Sequence, residues 1–207
     1  MNEPIVWSQN TAQEEIVVTT VKYAKAAFVL MVIAIAWMLT ACSSQASNLS
    51  GGETVPHLDA LVRAASAGIT PDIVKLMQFS SLPCTKAEGL GGPPKCLADE
   101  AEGTLVEVMP VLVPEGHHIR RSEFSAWPGI GKAQLYAAYK IPEDAYSDEY
   151  FPVGEYGIAF LLADQANVAV FQVTEAGIVR LDYHTIPSME EVLKASQVVV
   201  RPTPTPE

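Results

Sequence analysis

An uninterrupted apolar run near the amino terminus constrains this chain more than any other feature of its sequence. The run extends from Ala26 to Met38, thirteen residues without a charge, and Lys22 and Lys25 precede it. Because a helix rises about 1.5 Å per residue, these residues would span roughly 20 Å, less than the ~30 Å hydrocarbon core of a bilayer. This length is typical of the apolar region of a signal peptide, so we expect the remainder of the chain to be exported.

The four residues after the run, Leu39-Thr40-Ala41-Cys42, resemble the lipobox of bacterial lipoproteins: an aliphatic residue, two small residues and a cysteine. The resemblance implies that residues 1–41 are a signal peptide, that cleavage follows Ala41, and that a diacylglycerol is attached to the Cys42 thiol. It also implies a further acyl chain, such as palmitate, on the new amino terminus. Two or three acyl chains make anchoring nearly permanent, so the mature chain would be held at the cell membrane, facing the extracytoplasmic side.

An uncleaved transmembrane helix over residues 26–42 is the alternative. The lysines lie on the amino-terminal side of the run, so both interpretations predict export of the residues beyond Cys42. The segment before the run is long and holds three glutamates, which is unusual for a signal peptide. We therefore expect the translation start to lie downstream, near Val18 or Val21, a hypothesis that N-terminal sequencing of the precursor tests.

The charge balance excludes one class of partner. Cleavage before Cys42 leaves 166 residues (207 − 41), and these hold 11 Lys and Arg (13 − 2) against 21 Asp and Glu (24 − 3). The resulting net charge of about −10 repels phosphate backbones, so nucleic acid is excluded as a partner. It also argues against electrostatic docking onto anionic lipid, so the lipid anchor must hold the protein at the membrane.

Cys84 and Cys96 are the two cysteines left after Cys42, and both lie in the part expected to be exported, where disulfides persist. We predict a disulfide between them, because two thiols at this spacing match no zinc pattern. The segment between them, rich in Gly and Pro, lacks the Gly-Lys-Ser/Thr ending of a phosphate-binding loop. It is therefore predicted to be a surface loop, with recognition of a partner as its functional alternative.

The hydrophobic patterns predict an α+β domain over residues 57–198. Residues 42–56 are polar and are predicted to form a flexible tether, and residues 199–207 a disordered Pro/Thr tail. We expect an amino-terminal helical pair, then a curved antiparallel sheet of four to five strands, then a short helix. The predicted helices cover about 57–67, 71–79 and 189–197, and the predicted strands 104–113, 133–141, 155–163, 168–174 and 178–184.

The opening LDALVRAASAGITPDIVKLM resembles the first helical hairpin of the nuclear transport factor two-like, or cystatin-like, superfamily. An apolar helix, a glycine-containing break and a second short helix carry the resemblance over about twenty residues. It implies a sheet that curls around helices and often encloses a cone-shaped pocket. Members of that superfamily include isomerases, cyclases and binding modules. Their catalytic positions have no motif match in this sequence, so none is transferred.

The strand predicted over 178–184 holds the main catalytic candidates. Its alternation places Leu181 on the packed face and both Asp182 and His184 on the wetter face. Asp182 and His184 are therefore expected to lie on a solvated face, and a general-base pair, for which two such residues at this spacing have the chemistry, is the functional alternative. Tyr136 is a third candidate if the domain encloses a pocket.

Metal and cofactor sites are not predicted. Adjacent histidines such as His117 and His118 point to opposite sides of a strand, and the acidic segment 142–152 lacks the spacing of a calcium-binding loop. Neither a cofactor motif nor a G-x-S-x-G nucleophile motif occurs. We therefore expect a lipid-anchored binding module for a small ligand or another envelope protein, with a small isomerase- or hydrolase-like pocket enzyme, or an accessory envelope protein, as alternatives.

Overall fold

The computed structural model describes residues 54–113 and 115–202. The chain divides into two compact units, Met1–Asn48 and Leu49–Glu207, and the described residues all belong to the second. The signal peptide, the lipobox with Cys42, most of the tether and the last five residues of the tail lie outside the described residues.

Two helices open the described part, α1 over Leu58–Ala67 and α2 over Thr70–Val74. Gly68 adopts φ 70° and its N–H donates to the carbonyls of Ala64 and Ala65, which ends α1. The second helix is shorter than predicted. The chain leaves it to pair with a strand: the N–H of Gln78 donates to the carbonyl of Ile178, and Met77 bridges Ile178 in parallel.

Eight strands form one sheet. They are β1 (Ser80–Pro83), β2 (Leu105–Leu112), β3 (His117–Arg120), β4 (Gln134–Lys140), β5 (Tyr156–Leu161), β6 (Asn167–Thr174), β7 (Gly177–Thr185) and β8 (Gln197–Val200). A 3₁₀ helix over Arg121–Ser125 follows β3, and helix α3, over Ile186–Ala195, separates β7 from β8.

The strand order is β1-β2-β7-β6-β5-β4-β8, and β3 pairs with β2. Neighbouring strands are antiparallel except β2 and β7, which are parallel through the Val111–Leu181 and Leu112–Asp182 pairs. The α+β class is therefore confirmed. The prediction of four to five antiparallel strands is wrong in two respects, because the sheet has eight strands and is mixed.

Helices α1 and α2 cover one face of the sheet. They contribute Leu61 and Ile73, which pack in one cluster with Phe160 and Phe171. These four side chains are at most 1% exposed, so they fill the space between the helices and the sheet.

Helix α3 covers the opposite face. Its Met189 and Leu193 pack in a second cluster with Val168 and Val170 of β6. Ala169, between these two valines, belongs to the first cluster, because successive side chains of a strand point to opposite faces. Strand β6 is therefore buried on both sides.

The domain extends slightly beyond its predicted bounds at both ends. Val55, placed in the predicted tether, is buried in the same cluster as Leu61. Val200, placed in the predicted tail, is buried as well, because β8 pairs with β4. Both residues therefore pack in the first cluster.

Candidate binding site

The predicted disulfide between Cys84 and Cys96 is confirmed. It lies in the connection between β1 and β2, residues 84–104, which we call the cysteine loop. The base of this loop is closed by backbone hydrogen bonds, from the N–H of Cys84 to the carbonyl of Thr104 at 2.8 Å and from Gly103 to Cys84 at 2.9 Å. A covalent bond and a backbone ladder therefore both hold the loop.

An ion pair fixes the loop to β3. Arg120 donates from Nη1 to Oε1 of Glu100 at 2.7 Å and from Nη2 to Oε2 at 2.6 Å, and Nη2 also donates to the carbonyl of Lys95 at 2.8 Å. The hydrogen bonds from Arg120 lower the pKa of the Glu100 carboxyl group, and the N–H of Leu97 lowers it further. This two-pronged contact is the strong form of an arginine–carboxylate pair.

Glu102 joins the two ends of the loop. Its carboxylate accepts hydrogen bonds from the Thr85 hydroxyl at 2.8 Å and from the N–H of Lys86 at 2.5 Å. The bond from Lys86 is the main cause of the lowered pKa of Glu102. The first residues after Cys84 are therefore held in place by a carboxylate that stays charged at neutral pH.

A surface cleft of about 480 Å³ lies between the two arms of the cysteine loop. Residues 85–89 form one wall and residues 95–98 the other. Lys95 spans the walls, donating from Nζ to the carbonyl of Ala87 at 3.0 Å. The cleft is thus built entirely from the segment that the disulfide, Arg120 and Glu102 hold.

The same loop exposes large apolar side chains. Leu90 is 72% exposed and Leu97 is 52% exposed, and Leu105, where the chain leaves the loop into β2, is 68% exposed. Leu97 also lines the cleft. Exposed leucines on a rigid support are typical of a surface that contacts another molecule.

Cys84, Cys96 and Glu100 place three possible ligand atoms within 4.8 Å of one another. Metal binding by cysteine requires a thiolate, and both sulfurs are consumed by the disulfide. Glu100 is in turn occupied by Arg120. The cluster therefore stabilises the loop and offers no metal site in its oxidised form.

The prediction of a solvated face at Asp182 is wrong, and Arg180 lies on the same face of β7. Both side chains are buried, 3% and 4% exposed, because the β4–β5 connection, residues 141–155, covers them. Arg180 donates from Nη1 to the carbonyl of Tyr146 at 2.8 Å and to that of Pro152 at 3.3 Å. The alternation correctly places Asp182 and Leu181 on opposite faces of β7, but both of these faces are covered.

Asp182 and His184, the two residues of the predicted general-base pair, have separate hydrogen-bond partners. Both oxygens of Asp182 accept from Arg180, and one also accepts from Gln172, whereas Nδ1 of His184 contacts the Ser188 hydroxyl at 3.3 Å. Among the hydrogen bonds of residues 54–113 and 115–202, none joins the two. Burial lowers the pKa of His184. Neither residue lines the cleft of the cysteine loop, so the geometry does not bring them to a ligand there.

Tyr136 is occupied at the carboxyl-terminal end of the domain. Its hydroxyl donates to Glu190 of α3, and Arg201 donates to the same carboxylate at 2.5 Å. The guanidinium of Arg201 also lies over the Tyr136 ring, 5.4 Å from its centre. Burial, followed by the bond to Glu190, raises the pKa of Tyr136. This arrangement fixes β8 and leaves no free hydroxyl for catalysis.

The two histidines and the acidic segment serve local structure. His118 packs on the Phe151 ring, 4.9 Å between centres, and its Nε2 contacts the carbonyl of Tyr150 at 3.1 Å, while His117 is exposed. Asp148 accepts from the Tyr146 hydroxyl at 2.6 Å and from the N–H groups of Tyr150 and Phe151 at 2.8 Å each. These three hydrogen bonds hold the connection between β4 and β5.

Sequence reasoning identified the disulfide but missed the residues that fix the cysteine loop around it. Arg120 and Glu100 are twenty residues apart, and a lone charge in a sequence does not indicate its partner. The sequence gives no indication of the role of Glu102 either. The signal in the sequence is the high content of glycine and proline between two cysteines, which indicates a loop held at its ends.

No helix within residues 54–113 and 115–202 combines the length and the apolar character needed to cross a bilayer. Comparison of the chain with protein-family models, with curated proteins and with solved structures found no match.

Proposed function

We propose that the protein is a lipid-anchored extracytoplasmic binding module whose binding surface is the cysteine loop, and that its partner is another protein of the cell envelope. The anchor rests on the lipobox resemblance at Cys42. The surface rests on one observation: Leu90 and Leu97 are exposed on a loop that a disulfide and the hydrogen bonds of two carboxylates hold against the sheet.

The energetics favour this surface for protein binding. Burying a leucine side chain contributes about 1.5–3 kcal/mol, so two such leucines supply a useful part of an interface energy. Because the loop is already fixed, binding loses little conformational entropy in ordering it. A flexible glycine-rich loop would lose part of this binding free energy, because it would have to be ordered on binding.

A protein partner fits this loop better than a small molecule. Small-molecule sites are enclosed and mainly apolar, whereas this cleft opens to the surface and has the polar Thr85, Lys86 and Lys95 on its walls. Leu90 lies outside this cleft and is 72% exposed. A protein surface reaches both the leucines and the lysines at once.

The anchor and the surface are tested separately. Cys42→Ala should abolish metabolic labelling with palmitate, and label that persists would contradict the anchor. For the surface, a photo-crosslinking amino acid is placed at Leu90 in the full-length protein in its native cells. The matched control places it at Val198 on β8, which is 39% exposed at the other end of the sheet.

We expect a discrete crosslinked species from position 90 that is weak or missing from position 198. Leu97→Ser should reduce its yield without lowering the stability of the domain, because this leucine is largely exposed. Equal crosslinking from both positions, or none from position 90 in cells where the protein is membrane-bound, would contradict the assignment.

A further inference from the structure

A second surface cleft, of about 580 Å³, lies between α1 and α2. Apolar side chains such as Ile69 and Leu76 line it, and the cations Arg63 and Lys75 stand at its edge together with Asp72. Ile69 is 44% exposed. The cleft is independent of the cysteine loop, with which it shares no residue.

The charge of this face differs from that of the whole chain. The lining holds two cations and one carboxylate, net +1, and the exposed Asp59, one turn before Arg63 on α1, offsets one of these cations, whereas the whole chain has a formal net charge of −11. Lys75 pairs with Asp72 at 2.6 Å, but both side chains are largely exposed, so water screens the pair. The stem of a third cation, Lys132, packs beside Gly68 at the end of α1.

The cleft lies near the point where the described chain begins. His57, just before α1, contacts the carbonyl of Glu175 at 3.0 Å, and Leu76 accepts from the N–H of Ile178 at 2.8 Å, so the start of α1 and the end of α2 meet at the same β6–β7 turn. Arg63 is six residues beyond His57, about 9 Å along the helix. Only eleven residues (53 − 42) separate Cys42 from the first described residue.

We propose that this α1–α2 face is the membrane-facing side of the domain and that it docks on anionic phospholipid, with Ile69 at the acyl boundary and Arg63 and Lys75 among the headgroups. The inference rests on the proposed lipid anchor. Without an anchor at Cys42, nothing brings this face to a bilayer, because the net charge of the chain opposes it.

The short connection between Cys42 and the domain makes docking possible although the net negative charge of the chain is repelled by anionic lipid. Eleven residues reach at most about 40 Å even when fully extended, which keeps the face at a millimolar effective concentration at the bilayer surface. Electrostatic screening acts over about 8 Å at physiological salt, so acidic groups on distant faces of the domain contribute little once the cationic face is in contact. The anchor brings the domain close to the bilayer, and the local positive charge determines which face of the domain contacts it.

The test uses the full-length lipidated protein in vesicles that contain phosphatidylglycerol, with nitroxide quenchers at the headgroup depth. A fluorophore is attached to Ile69→Cys without reductant, so that the Cys84–Cys96 disulfide stays intact. The matched control carries the same fluorophore on Leu90→Cys, in the cysteine loop. We expect quenching at position 69 at least about twofold stronger than at position 90, with the difference lost in 1 M salt, where screening acts over about 3 Å.

Arg63→Gln and Lys75→Gln provide the second measurement. Each cation near an anionic surface changes the binding constant about fivefold, so each substitution should lower the docked-to-undocked ratio by that factor, as should vesicles made of phosphatidylcholine alone. Equal quenching at both positions in protein that floats with the vesicles would overturn the docking face and leave the anchor standing. Failure to float at all would overturn the anchor and the docking face together.

Discussion

Arg180 and Asp182, two residues apart on β7, form a buried ion pair in which both carboxylate oxygens accept from the guanidinium. Nε donates to Oδ1 at 2.8 Å and Nη2 to Oδ2 at 3.1 Å. Gln172 donates to Oδ2 at 2.5 Å, and its own oxygen accepts from the N–H of Gly154 at 2.9 Å. Within the described residues no buried side-chain nitrogen or oxygen lacks a partner. The cluster therefore attaches the β4–β5 connection to the sheet.

Removal of Asp182 should destabilise the domain strongly. Asp182→Ala leaves the Arg180 guanidinium buried without its counter-ion, which costs about 3–5 kcal/mol in comparable pairs. The free energy of unfolding in urea measures this loss. Glu191→Ala is the control, because its pair with Lys194 is exposed and such pairs contribute roughly 0–1 kcal/mol. Equal losses in the two variants would contradict the role given to the cluster.

Strand β7 illustrates how much of the fold can be predicted from the sequence. Strict alternation predicts which side chains share a face, and Leu181 and Asp182 do lie on opposite faces. Alternation does not reveal what covers each face. The face that carries Asp182 is covered by residues 141–155, about thirty residues away in the chain. This cover is visible only in the structure, where the carbonyls of Tyr146 and Pro152 accept hydrogen bonds from Arg180.

The strands that sequence reasoning missed share a physical cause. β1, β3 and β8 have four residues each, too few for a periodic pattern to emerge. β3 is His-His-Ile-Arg, with little apolar character, and β8 runs directly into the Pro/Thr tail. Their strand conformation comes from pairing with β2 and β4, which is tertiary context.

The candidate site was predictable only in outline. Two cysteines in a chain expected to be exported indicated the disulfide, and glycine and proline indicated the loop between them. The Arg120–Glu100 contact, which fixes that loop to β3, depends on the β2–β3 pairing and leaves no local trace in the sequence.

Loss of the disulfide should weaken the domain by a smaller amount than loss of Asp182. The double variant Cys84→Ser/Cys96→Ser releases the loop over residues 84–96 in the unfolded chain, which corresponds to about 3 kcal/mol in the chain-entropy description. Urea unfolding with and without reductant measures it: reductant should destabilise the wild type and leave the double variant unchanged. Alkylation of either cysteine in native protein without reductant would contradict the bridge.

Stability should fall as the pH drops below about 6.5, and His118 should account for part of that fall. Burial lowers the pKa of His118, and the nearby His117 lowers it further, while the carbonyl of Tyr150 and Asp148 oppose this. The unfolded histidine has a pKa of about 6.5, so below this pH the unfolded state binds more protons than the folded state, and the free energy of unfolding decreases. The decrease is complete once the pH is below the folded-state pKa.

His118→Gln should flatten this pH dependence between about pH 7.5 and 5, measured by urea unfolding at each pH. Burial also lowers the pKa of His184, so His184 should still cause part of the pH dependence in the His118→Gln variant. His117→Gln, at the exposed neighbouring position, removes only a charge that helps lower the pKa of His118, so it should reduce the slope less than His118→Gln does. Carboxyl groups with lowered pKa, such as those of Glu100 and Asp148, act in a separate window below about pH 4.5. An unchanged slope in His118→Gln would refute the assignment.

Arg120→Gln should loosen the cysteine loop while the sheet stays folded. The substitution removes the two charge-assisted hydrogen bonds to Glu100 and the bond to the carbonyl of Lys95. These bonds are charge-assisted but partly exposed, so we expect local opening to become roughly tenfold more frequent. Hydrogen exchange of the Leu97 amide, which donates to Glu100, measures it directly. Arg121→Gln, whose pair with Glu107 is exposed, is the control and should leave that amide unaffected. Protection of Leu97 that is equal in both variants would mean that the disulfide and Glu102 fix the loop without Arg120.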